Sequence, residues 1–239
     1  MGLFDMFARK GPGAIKKHAA RVANKRAQNP DRWESIQVLA KMGTPESVEA
    51  LLARFEIRVD PSIVDQEEKE AALKGILAVG AEAIEPIRAH LQQTTKVSWP
   101  LKMLEKLLSK EEVVTELLAV IEDMSTDYER DPDKKIQVIA YLEDRQDPRI
   151  VGAVSRFLED DNETVRFHAV GAAFAQEDPS AAFDTLLTQV SEEESVRVRV
   201  RIFEGLAGVE FKIPKDRQDA IRKMLPEGFA LDADGTPRH

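Results

Sequence analysis

The sequence predicts an all-α fold, and three observations carry that reading. Apolar residues recur at i, i+3, i+4 and i+7, the faces they form return every 30 to 38 residues, and turn or helix-start chemistry stands between them. Helix pairs this short cannot bury their apolar faces alone, so they must stack on one another. The expectation is an α-solenoid of about six helix pairs with an extra N-terminal helix. A chain of 239 residues, 43% apolar, is long enough for such a core, and an aromatic content of only 6% favours packing through Ala, Leu and Val.

Residues 1–28 precede the repeats and read as a basic amphipathic arm or capping helix. They hold Arg9, Lys10, Lys16, Lys17, Arg21, Lys25 and Arg26 against the single acid Asp5, a balance of +6; the rest of the chain then carries −15 to reach the total of −9. Leu3, Phe4, Met6 and Phe7 form an apolar knob, Gly11-Pro12-Gly13 interrupts the chain, and a helix is expected from about Ala14 to Gln28. Two readings stay open. The arm meets an anionic surface, whether lipid, nucleic acid or an acidic protein face, or it folds back as a cap whose cations lie in solvent.

Residues 29–225 hold the repeat. The full apolar template is met by Val48, Leu51, Leu52, Phe55, then by Val114, Leu117, Leu118, Ile121, and again by Phe183, Leu186, Leu187, Val190. Partial copies begin at Ile84, Val151 and Ile221. Each of these second helices follows a first, expected at 33–42, 66–79, 99–108, 134–142, 164–175 and 196–207. Between partners stand breaks such as Gly43-Thr44-Pro45, Asp147-Pro148 and Asp178-Pro179. Residues 195–203 alternate strictly between apolar and polar, a strand pattern, and only their place in the repeat makes them a helix. Residues 226–239 lose the period and read as a flexible tail, with Phe229 and Leu231 as candidate covers for the last pair.

The period, the Asp-Pro of DPRIV at 147 and DPSAAF at 178, and the first helix DNETVRFHAVGAAF resemble the HEAT-repeat family, in particular its short bacterial, PBS-lyase-type form. The resemblance covers roughly residues 29–225 and is clearest at 147–190; Trp99-Pro100 and the acidic stretch 122–133 depart from it. It implies a right-handed solenoid acting as a scaffold or adaptor, with the second helices lining a concave face. On or near that face it places Glu49, Arg54, Arg88, Glu116, Arg156 and Thr185. Arg166 is similar to the family's helix arginine that pairs with loop acids, here Asp160, Asp161 and Glu163.

Catalytic chemistry finds little footing. With no cysteine there is no thiol nucleophile, disulfide or thiolate metal site, and the four histidines lie in separate regions without acids at a repeating ligand spacing. No P-loop, dinucleotide fingerprint or nucleophile elbow occurs. Two enzymatic relatives of such repeats, the bilin lyases and the DNA glycosylases, are the alternatives. A DNA-gripping solenoid needs a basic groove, and this body is acidic; Arg197, Arg199 and Arg201 are instead expected to pair with Glu192, Glu193 and Glu194.

The sequence therefore predicts a non-enzymatic, cytoplasmic and monomeric adaptor that needs no cofactor or metal and takes no nucleic acid. It binds a protein, for instance beside a small GTPase and its activator in a bacterial signalling or polarity pathway. Weak peripheral membrane contact through the N-terminus is compatible with this. The candidate contacts are Leu3, Phe4, Phe7, Lys10, Lys16, Lys17, Arg21, Lys25, Arg26, Arg54, Arg88 and Arg156.

Overall fold

The computed structural model describes residues 12–239. The chain divides into two compact units, Met1–Val113 and Val114–His239. Among the described residues every element longer than two residues is helical.

The first unit opens with α1 (Pro12–Val22), the extra helix, which packs on α2 (Asn29–Met42) and α3 (Pro45–Leu52). Pro30 stands in the first turn of α2, where its missing N–H is no loss, and Gly43 ends the helix in the left-handed region at φ 61°. Thr44 and Ser47 then close a reciprocal capping box over the start of α3, each side chain accepting from the other's backbone N–H. A 3-10 turn (Ala53–Glu56) follows α3, and α4 (Ser62–Leu77), a second 3-10 turn (Gly80–Ala83), α5 (Ile84–Gln93) and α6 (Ser98–Leu107) complete the unit. First helices pack in series, α2 on α4 and α4 on α6, while α3 packs on α5 in the other layer. Of the apolar positions that the repeat predicts, Val48, Leu51, Leu52, Phe55, Ile87 and Leu91 are buried and Ile84 is half-buried; Ile36, Leu39 and Ile76 of the first helices complete the interior. Each such side chain withdrawn from water contributes roughly 1.5–3 kcal/mol.

Helix α7 (Lys110–Glu122) spans the division between the units. The second unit continues with α8 (Asp133–Glu143), α9 (Arg149–Val154) with a 3-10 turn (Ser155–Glu159), and α10 (Glu163–Phe174). A turn (Ser180–Ala182), α11 (Phe183–Glu192), α12 (Val196–Gly208) and α13 (Lys215–Arg222) follow. Here α8, α10 and α12 form one layer, and the segment after α9 packs on α11, which packs on α13, in the other. The Asn162 side chain caps α10 by accepting from the N–H groups of Thr164 and Val165, and Ser195 caps α12 likewise. Residues 196–208 are a helix because Val198, Ile202, Phe203 and Leu206 share its buried face, while Val196 stays exposed. The acidic stretch after α7 is tied down by Lys135, whose buried ammonium donates to the Ser125 carbonyl (2.8 Å) and pairs with Asp160 (2.7 Å) and Glu129 (3.3 Å).

Residues 226–239, expected as a flexible tail, make contacts with the end of the second unit. Residues 230–238 make a short hairpin, Ala230 opposite Arg238 and Leu231 opposite Pro237, across a turn with Gly235 at φ 92°. Thr236 is buried, the Ile213 N–H donates to the Gly235 carbonyl, and Phe229 lies 5.9 Å from the Phe203 ring. The expectation that Phe229 covers the last pair is thus met.

Candidate partner-binding site

The basic helix α1 is docked on its own unit. Val22 is buried, His18 Nδ1 lies 3.1 Å from Ser35 Oγ, and Arg21 reaches Glu34 at 3.6 Å. Lys16, Lys17, Lys25 and Arg26 face solvent. Leu3, Phe4, Phe7 and Lys10 lie outside the described residues.

Arg54 cannot meet a partner, because its side chain is wholly buried. Its guanidinium donates to Glu68 (2.7 Å), Asp65 (2.7 Å) and the Ile57 carbonyl, while Arg32 grips the same Glu68 from α2 at 3.0 and 3.1 Å. The 3-10 turn explains this: at 120° per residue it swings Arg54 inward from where an α-helix would leave it. Burial alone would push the Glu68 carboxyl up, yet the bonds from Arg32, Asn29 and Arg54 outweigh it and hold it below the usual range. Glu116 is likewise buried, since it falls on the stripe Val113, Glu116, Leu117, Val120 of α7. Arg88 is half-buried and pairs with Glu85; Glu49 is exposed and Thr185 half-buried.

Arg156 does lie on a second-helix groove. Between α7 and α9 runs a trough of about 440 Å³ floored by Leu118, Ala119, Gly152 and Ala153. Arg149 closes one end, held by Asp147 (2.7 Å) and bonded across to Thr115 Oγ1 (2.9 Å). Arg156 closes the other, donating to the Ile121 and Glu122 carbonyls at the end of α7. The middle stays open because its side chains are small. A Cβ on Gly152 would meet nothing within 4 Å among the described residues, so no packing among them requires glycine there. Gly75 is different, a close approach of α4 to Ala40 on α2, and Gly171 and Gly205 also have near neighbours, the Arg201 and Glu143 side chains and the Phe174 ring. A second trough, about 640 Å³, lies between α2 and α4 beside half-exposed Trp33 and was not foreseen.

Arg166 pairs with Glu193 (2.7 and 2.8 Å), and of the expected loop acids Asp160 and Asp161 only their carbonyl oxygens accept from it. Burial would raise the Glu193 carboxyl, but Arg166, the Ser195 N–H and Gln189 lower it overall. Glu193 is thereby committed, and the arginines of α12 go elsewhere. Arg201 pairs with Glu143 (2.6 Å), Arg197 and Arg201 both lie over the Phe167 ring, and Arg199 Nε is buried without a hydrogen-bond partner among the described residues.

Residues 31–56, which span most of α2, the Gly43 turn, α3 and the 3-10 turn, match the model of the PBS lyase HEAT-like repeat. The chain carries a HEAT-like repeat. Arg32 and Arg54 of the buried network both belong to it, and Glu68, on the next first helix, ties the HEAT-like pair to its neighbour. No curated protein matches the chain. Among the described residues no cluster of three or more His, Asp or Glu could hold a metal ion, and no helix is long and apolar enough to cross a membrane.

Proposed function

We propose that this HEAT-like protein is a non-enzymatic adaptor that holds a protein partner in the α7/α9 groove, with the exposed cations of α1 as a second, electrostatic contact. The observation that carries the reading is the groove's middle. A helix-interior glycine costs roughly 0.5–1 kcal/mol relative to alanine, and at Gly152 no internal neighbour compensates. A partner's close approach accounts for it. A cytoplasmic regulatory role, for example beside a small GTPase and its activator in a bacterial signalling or polarity pathway, is the concrete setting we assign to such an adaptor.

The test uses the purified full chain as bait in extracts of its native cells. Gly152→Phe fills the trough without touching the core, and Gly152→Ala leaves it open. The reading predicts that the partner is retained by the alanine variant and lost from the phenylalanine variant, with helix content unchanged in both. An identical set of captured proteins on wild type and Gly152→Phe would sink the groove. For the arm, Lys16→Glu with Lys17→Glu is the cleaner variant, because α1 packs on α2 and α3 and its deletion would disturb the unit. The nucleic-acid alternative predicts salt-sensitive duplex binding, which this adaptor should lack.

A further inference from the structure

The groove leaves unused a cluster on the other layer of the second unit. On α10, the Phe167 ring has two guanidiniums from α12 against it, Arg197 at 3.8 Å and Arg201 at 4.0 Å from its centroid. Arg201 continues past α10 to Glu143 on α8, through space that exists only because residue 171 is glycine; a Cβ there would overlap the guanidinium. The other oxygen of Glu143 is taken by His168 Nδ1. One carboxylate therefore serves Arg201 and His168 together. Arg197, on the exposed first turn of the helix, has no hydrogen bond or ion pair among the described residues, only the ring.

Two like charges share one ring, and the Glu143 carboxylate that Arg201 reaches is already divided with His168, so Arg197 is left without an ion-pair partner among the described residues. A guanidinium that lies flat on an aromatic ring still presents its N–H edge, and a carboxylate is the anion that edge takes bidentately. Phe167, half-buried, is the ring on which both guanidiniums rest and holds Arg197 in place.

We propose that this face docks an acidic segment of a protein partner, with an Asp or Glu on Arg197. A nucleic-acid backbone fits less well: it needs a row of cations, and here Arg201 is already committed to Glu143. The proposal rests on the reading of the protein as a partner-binding adaptor, but not on the α7/α9 groove.

The probe is a fluorescein-labelled peptide of alternating Glu and Leu, titrated into the full-length chain by anisotropy, with the matching Gln–Leu peptide and a short DNA duplex as further arms. Binding of the Glu peptide alone is expected, weakened about tenfold by Arg197→Gln and unchanged by Gly152→Phe. Arg197 is exposed, so its substitution leaves the fold intact, which circular dichroism checks. Equal binding by wild type and Arg197→Gln overturns the proposal, as does no binding at all or equal binding of the Gln peptide. Duplex binding that Arg197→Gln abolishes overturns it in favour of nucleic acid. Loss through Gly152→Phe instead would assign the peptide to the groove. The capture experiment above stands or falls separately, since it reads the groove alone.

Discussion

At the scale of single residues, Glu68 holds the first unit together most directly. Its carboxylate accepts from Arg32 and Arg54, both buried, and from Asn29, so two chain segments, the start of α2 and the turn after α3, converge on one anion of α4. Glu68→Gln removes the charge, leaves the Arg32 guanidinium without its carboxylate in a dry interior and leaves Arg54 with the Asp65 carboxylate alone. Breaking a buried pair from one side typically costs about 3–5 kcal/mol, and we expect a loss of that order in urea denaturation. A change below about 1 kcal/mol, the range of a surface ion pair, would mean that the network is solvated in practice. Little of this was legible in the sequence. Arg54 follows an amphipathic helix at a slot that ideal α geometry leaves outside, and the tightening to a 3-10 turn carries no periodicity of its own.

At the scale of elements, close helix approaches are set by glycines, and two of them give opposite predictions. At Gly75 on α4 a Cβ would stand 2.5 Å from the Cβ and 3.2 Å from the Cα of Ala40 on α2, so Gly75→Ala forces two helices apart. We expect destabilisation of roughly 1–3 kcal/mol, as for other overpacked interiors. Gly152→Ala meets nothing and gains helix propensity, so it should stabilise by about 0.5–1 kcal/mol. Paired urea midpoints check both, and a shift of the same sign in the two variants would refute the distinction. Elements were the most legible level: α2, α4, α6, α8, α10 and α12 fall within a few residues of the expected first helices, because the apolar stripe that predicts a helix is also what buries it. The Val-Arg alternation of α12 misleads only while one looks at nearest neighbours; spaced by four, Val198 and Ile202 lie on one face. The C-terminal hairpin was missed although Asp234-Gly235 is a turn signal, because its two-residue strands are too short to alternate.

At the scale of the whole molecule, the charge distribution sets the response to acid. Glu68 in one unit and Glu193 in the other are buried carboxylates held below the ordinary glutamate value of 4.5, and Asp65 is held below 3.8. A folded value lower than the unfolded one stabilises the native state fully above the unfolded value, and that stability is lost as pH falls through the folded one. Asp160 works in the opposite sense: burial raises it despite Lys135, so its ionisation costs stability at neutral pH and protonation relieves that cost. With Glu68, Asp65 and Glu193 lowered against the raised Asp160, the native protein should be most stable near neutrality and lose stability in both units below the ordinary carboxylate range. Urea denaturation repeated between about pH 3 and pH 7 measures the slope, which linkage fixes in sign. Glu193→Gln should flatten it, because its lowered carboxyl no longer titrates, and should leave the contribution of Glu68 in place. A Glu193→Gln variant whose stability falls with pH as steeply as the wild type would show that the Arg166 pair contributes nothing to acid stability.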